Sequence, residues 1–166
     1  MKNVKFASLI FISINILMLY GCSATGPKFQ QFDEPNKESA LVYFYRPSKF
    51  LGGGTTINIM EKVEPGKEND KSNFSGISTV GKLRNNSYFK VEISPSEHKF
   101  TTNWIFDPII ISMNPNEIYC IKTEPTFSSH FFSSHTPLKL ITKEICNEEI
   151  KNTKQMTEKD LGNFFY

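Results

Sequence analysis

Ala40-Leu41-Val42-Tyr43-Phe44-Tyr45-Arg46, stopped by Pro47, decides the fold. Aromatic and β-branched side chains favour a pleated surface, and a proline has no N–H to continue a ladder. The same grammar repeats downstream. Thr55–Met60 alternates, with Ile57 and Ile59 on one face. Thr79–Leu83 is a short strand, and Asn85-Asn86 is a tight turn, because Asn tolerates the left-handed conformation that hairpin turns need. Ser87–Ile93 puts Phe89, Val91 and Ile93 on one face and Tyr88, Lys90 and Glu92 on the other, a half-buried antiparallel strand. Pro95-Ser96 turns the chain into Glu97–Asn103. Asp107–Met113, the turn Asn114-Pro115-Asn116-Glu117, Ile118–Thr123 and Leu138–Glu144 complete the set. Gly52-Gly53-Gly54 is a turn, and Glu61–Ser75, with Pro65-Gly66, is an exposed loop. From Cys146 to about Lys154, acidic residues come early and lysines late, which suits a short terminal helix. About eight short strands with regular turn signals predict an all-β domain, an antiparallel β-sandwich or barrel-like fold. The absence of strand–helix alternation argues against an α/β fold.

Upstream of this domain the grammar changes. Lys2 and Lys5 precede an apolar run from Phe6 to Tyr20, then Gly21-Cys22-Ser23. A charged start, a short apolar stretch and a small residue before a cut make a secretory signal. The run is shorter than the roughly 20 apolar residues of a membrane span. Leu19-Tyr20-Gly21-Cys22 resembles the lipobox of bacterial lipoproteins. The resemblance implies cleavage before Cys22, a diacylglyceryl group on its thiol and acylation of its amine, palmitate being a typical chain. One acyl chain binds a bilayer reversibly, whereas two or three hold permanently. Ser23 stands where an inner-membrane retention signal commonly has Asp, so the resemblance points to the outer membrane. The expected organisation is residues 1–21 as lipoprotein signal peptide, 22–38 as a flexible lipidated tether, 39–155 as the sandwich and 156–166 as a tail. Docking of Phe29 and Phe32 on the domain is the alternative for the tether, set aside because two isolated rings do not make a core, and packing of Leu161, Phe164, Phe165 and Tyr166 on the domain is the alternative for the tail.

The chain has 166 residues, of which 145 follow the expected cut, enough for one domain and a tether. Losing Lys2 and Lys5 leaves 17 basic residues against 17 acidic, so no basic field offers itself to nucleic acid. With Cys22 taken by lipid, Cys120 and Cys146 remain. In an exported protein a disulfide is expected, worth about 3 kcal/mol for such a loop. The alternative is two buried thiols acting as small apolar groups.

The quoted motifs A-L-V-Y-F-Y-R-P, Gly81-Lys82-Leu83, Asn86-Ser87-Tyr88-Phe89 and Pro95-x-x-His98-x-Phe100, with Asn116-x-Ile118-Tyr119, resemble a bacterial lipoprotein family catalogued as domain of unknown function 2846. The likeness runs from about residue 39 to 145. It departs where Ser96 and Asn116 replace turn glycines and where residues 61–76 look inserted. The resemblance implies a β-rich envelope domain and brings no catalytic residues.

No pattern of reactive residues emerges. His98 reads as structural. His130 and His135 are too few for a metal site, which needs three or more ligands, and no nucleophile elbow surrounds the neighbouring serines. Gly52-Gly53-Gly54 lacks the Lys-Ser/Thr of a phosphate loop. Glu148 and Glu149 are neighbours that do not face each other, and Arg46 caps the sandwich edge or pairs with an acid. Phe127, Phe131, Phe132 and Trp104 either close one end of the core or form an interaction patch. The expectation is a lipid-anchored, periplasm-facing accessory protein, non-enzymatic, without metal or cofactor, with the membrane and an envelope protein as partners. A small-ligand or glycan-binding module using the aromatic loops is the alternative.

Overall fold

The computed structural model describes residues 24–50, 53–62, 76–102, 108–127, 134–157 and 160, without the side chains of 126, 127, 134 and 135. The main strands are β1 (Ala40–Arg46), β2 (Ile57–Lys62), β3 (Ile77–Leu83), β4 (Ser87–Ile93), β5 (Glu97–Thr102), β6 (Ile109–Ser112), β7 (Ile118–Thr123) and β10 (Leu138–Ile141). Three two-residue strands join them: β8 (Thr126–Phe127), β9 (Ser134–His135) and β11 (Lys154–Gln155). The larger sheet has the order β10-β7-β1-β4-β11 and the smaller β3-β2-β5-β6, with β8-β9 a separate ribbon. Among the described residues no strand of one main sheet bonds to the other, so the fold is a sandwich and not a closed barrel.

All seven residues of β1 are buried, which only a strand covered on both faces achieves. Ala40, Val42 and Phe44 face the smaller sheet, with Ile59, Leu83, Phe89, Phe100 and Ile121. Leu41, Tyr43 and Tyr45 face the other way, into a second cluster with Phe29, Tyr88, Cys120, Cys146 and Ile150. The larger sheet is therefore the middle of three layers. Two of its pairings, β1 with β7 and β4 with β11, are parallel, which departs from the antiparallel expectation. Parallel pairing suits strands buried on both faces.

The outer layer has two parts. The first is a single helix, α1 (Lys143–Ile150), pinned to β7 by the Cys120–Cys146 disulfide. It starts three residues earlier than the charge pattern predicts and ends before Lys151, with Thr142 extended at its N-terminal boundary and no basic residue in its last turn. The second part is the segment expected to be a tether. From Ala24 onward it is docked. Gly26 N–H donates to the Gln155 carbonyl at 3.1 Å, Gln155 N–H to the Pro27 carbonyl at 2.8 Å, and Phe29 N–H to the Thr153 carbonyl at 3.1 Å. Phe29 and Phe32 meet Tyr43 edge-on, with centroids 6.0 and 5.0 Å away. Two rings make a core here because β1 and β4 supply two more, Tyr43 and Tyr88. The segment expected to be a flexible tether is thus packed on the domain from Ala24, the first described residue. At the other end, buried Met156 and Asp160 belong to the domain rather than to a tail.

The turn at Asn86 has the expected left-handed backbone, φ 56°. It does not make a hairpin, because β3 and β4 lie in different sheets and the chain crosses between them there.

Candidate functional site

Call the end of the sandwich where β1 starts the bottom, and the end where it finishes the top. At the bottom a cleft of about 710 Å³ opens between the ends of β2, β3, β4 and β5. Strand alternation explains its wall. Ile57 and Ile59 point into the core, so Glu61 is next on that face; Phe100 points inward, so His98 does too. The apolar stripes thus end in a polar pair where the sheets part.

His98 is buried and stacked on Phe100, with centroids 5.8 Å apart. Its Nδ1 lies 2.5 Å from Glu61 Oε1, and its Nε2 lies 2.8 Å from both the Ser94 carbonyl and Ser96 Oγ. Ser96, His98 and Glu61 therefore stand in the hydroxyl–imidazole–carboxylate order of a hydrolytic triad. The Ser94 carbonyl argues against that chemistry. A carbonyl oxygen only accepts, so it competes with Ser96 for Nε2: in the tautomer that donates to Ser94, this nitrogen lacks the lone pair a general base needs. The arrangement ties β2, β5 and the β4–β5 connection together. Glu92, Glu97, Lys62 and Lys99 also line the cleft, together with serine and threonine hydroxyls. Such a mixed, polar lining suits contact with a polar ligand or a protein surface.

A second polar system lies over the outer face. The Tyr45 hydroxyl donates to Glu149 at 2.6 Å, and Lys122 Nζ lies 2.9 Å from Glu149 and 2.9 Å from Glu124. Burial, then the Glu149 carboxylate, push the Tyr45 phenol above its ordinary range. Likewise burial and the Asp33 carboxylate raise Tyr43, whose hydroxyl donates to Asp33 at 2.6 Å. These bonds fasten α1 and the N-terminal segment to β1. Arg46 is fully buried and donates to the Thr55 carbonyl at 2.5 Å, a lock on the β1–β2 connection rather than an edge cap.

Of the residues singled out in the sequence, Cys120 and Cys146 are brought together as a disulfide. Cys22, Trp104, Phe131, Phe132 and His130 lie outside the described residues, as do the side chains of Phe127 and His135. Among the described residues no three of His, Cys, Asp and Glu gather as a metal set, and no helix is long and apolar enough to cross a membrane. The pairing of Glu61 with His98 was missed, although the two-residue period through Ile57 and Ile59 already placed Glu61 on the inner face. Asp160 was missed as well; Thr157 is a local partner, but Thr25 and Arg84, which make it part of the domain, are over 70 residues away and leave no local signal.

No family model, curated protein or solved structure matches the chain. The likeness to the lipoprotein family is therefore carried by the quoted motifs alone.

Proposed function

We propose that the chain is a lipid-anchored bacterial envelope protein, held in the outer membrane through Cys22 and facing the periplasm, and that it works by contact rather than catalysis. The observation that carries this is the use of its three cysteines. Two are paired within the domain. The third follows an apolar run, with Leu19 three residues before it and Gly21 just before it. Paired cysteines suit an oxidising compartment, and the remaining one stands where an acyl chain would be attached. The described segment starts at the top, where Thr25 meets Asp160, so a lipid on Cys22 would leave the bottom cleft turned away from the membrane. Its mixed charges are the surface offered to an envelope protein.

Intact mass of the membrane-fraction protein tests the anchor. A chain starting at Cys22 with two or three acyl chains is expected, and Cys22→Ser should give an unacylated protein. An unacylated wild type cleaved elsewhere overturns it. Photo-crosslinking groups at Lys62 and Glu97 test the contact, with exposed Ile145 on α1 as control. A defined adduct from the cleft positions alone is expected. Ester or peptide hydrolysis abolished by Ser96→Ala would instead make the triad order catalytic.

A second reading rests on the size of the cleft. Its volume lies within the roughly 300–1,000 Å³ of small-ligand sites. Saturable binding of peptidoglycan fragments, lost on Glu61→Gln, would favour a polar-ligand module.

A further inference from the structure

The docked N-terminal segment changes what a lipid on Cys22 would do. A free tether of sixteen residues would let the domain roam. Here the first described residue, Ala24, is already buried at the top. Thr25 N–H and Thr25 Oγ1 both donate to Asp160, at 3.0 and 2.9 Å. Consecutive Cα atoms are 3.8 Å apart, so Cys22 lies within about 8 Å of Ala24. An acyl group on that cysteine leaves two residues of slack, and the top of the sandwich has to meet the headgroups.

The surface around that point suits such a meeting. Arg84 reaches the same Asp160 at 3.1 Å. Its neighbour Asn85 accepts from Lys49 N–H at 2.9 Å and donates to the Lys49 carbonyl at 3.0 Å. That grip presents the next residue, Phe50, whose side chain is fully exposed. Lys28 and Lys154 are bridge partners in the same corner, and Lys154 N–H donates to the Asn86 carbonyl at 3.1 Å. Among the described residues, Lys28, Lys49, Arg84 and Lys154 thus share this corner with Phe50 and the start of the docked segment, with Asp160 and Glu124 as the acids that partner Arg84 and Lys49. A bare ring with lysine and arginine beside it is the composition of an interfacial contact: the ring enters the acyl boundary and the cations meet phosphate.

We propose that the top of the sandwich lies flat on the bilayer, with Phe50 inserted at the headgroup–acyl boundary and Lys28, Lys49, Arg84 and Lys154 against anionic headgroups. This rests on the lipid-anchor reading of Cys22. β1 spans about 20 Å at 3.3 Å per residue. The bottom cleft is then presented at a fixed height of about that distance, instead of on a long leash.

The full lipidated protein, its acylation verified by mass, is reconstituted in phosphatidylethanolamine–phosphatidylglycerol vesicles with and without brominated acyl chains. Tryptophan is placed by Phe50→Trp at the top or Glu97→Trp at the bottom, and the wild type, with Trp104 alone, sets the background. Phe50 and Glu97 are exposed, so both variants should fold like the wild type by circular dichroism. The Phe50→Trp fluorescence is expected to shift to the blue and to be quenched about twofold or more by the brominated chains, and the Glu97→Trp fluorescence to stay unquenched. Equal quenching at both positions, or none at position 50 in an acylated protein, overturns the proposal and leaves the anchor intact. A wild type without acyl chains overturns the anchor reading itself.

Discussion

Asp160 shows how much one side chain decides here. It is buried at the top and accepts bonds from the N–H and hydroxyl of both Thr25 and Thr157. Burial alone would raise its pKa, but these bonds outweigh it and hold the carboxyl at about 2. Because the folded value lies below the ordinary 3.8, the stabilisation is complete above about pH 4 and is lost as pH falls toward 2. Asp160→Asn should weaken the N-terminal segment at neutral pH by about 1–3 kcal/mol and flatten this acid limb, read by amide exchange at Gly26 and Phe29. Gly81 is a packing case. A Cβ there would sit 2.6 Å from a ring carbon of Phe89, which is stacked on Phe44 with centroids 5.1 Å apart. Gly81→Ala should cost about 1–3 kcal/mol in urea unfolding through overpacking. Asn116 has φ 60°, the backbone state glycine prefers, which explains physically why a glycine would serve in that turn. Asn116→Val should destabilise by about 1–2 kcal/mol in the same measurement, and Asn116→Gly by far less.

The N-terminal segment and α1 are the elements that close the outer face of the larger sheet. A Cβ at Gly26 would collide with the Gln155 carbonyl oxygen, so Gly26→Ala should release the segment from β11 while the sandwich stays folded. Exchange protection at Gly26 and Phe29 is expected to fall, with that of β1 amides unchanged. Phe29→Ala removes a ring that is 4% exposed and should cost about 3–5 kcal/mol if the segment and sandwich unfold together. The disulfide ties α1 to β7 across a sequence separation of 26. Cys146→Ser should lower stability by about 3 kcal/mol and loosen α1 first, since Ile150 and the Tyr45–Glu149 bond are its other main holds. The strands were legible in the sequence because each is a local pattern: β1, β4 and β7 begin and end where alternation and turn residues place them. The docking of Phe29 was not, because the rings that receive it, Tyr43 and Tyr88, come from two other strands.

At the scale of the molecule the two ends are unlike. The top gathers the start of the docked segment, Asp160, Phe50 and a group of basic residues, while the bottom opens the polar cleft. Cleft substitutions such as Lys99→Glu should leave the thermal midpoint nearly unchanged while altering crosslinking, because Lys99 is partly exposed and its contact with Glu97 is a loose surface pair at 3.6 Å. By itself the sequence determined the all-β class, most strand limits, the left-handed turn at Asn86 and the two cysteines free to bridge. These follow from local backbone preference, a two-residue period and simple counting. Only the tertiary structure decided the rest: that Asn86 joins two sheets instead of a hairpin, that β1 has parallel neighbours and is buried on both faces, that residues after Ala24 dock instead of swinging, and that Glu61 meets His98. Each of these depends on which distant surfaces come into contact, and a local pattern carries no record of its partner.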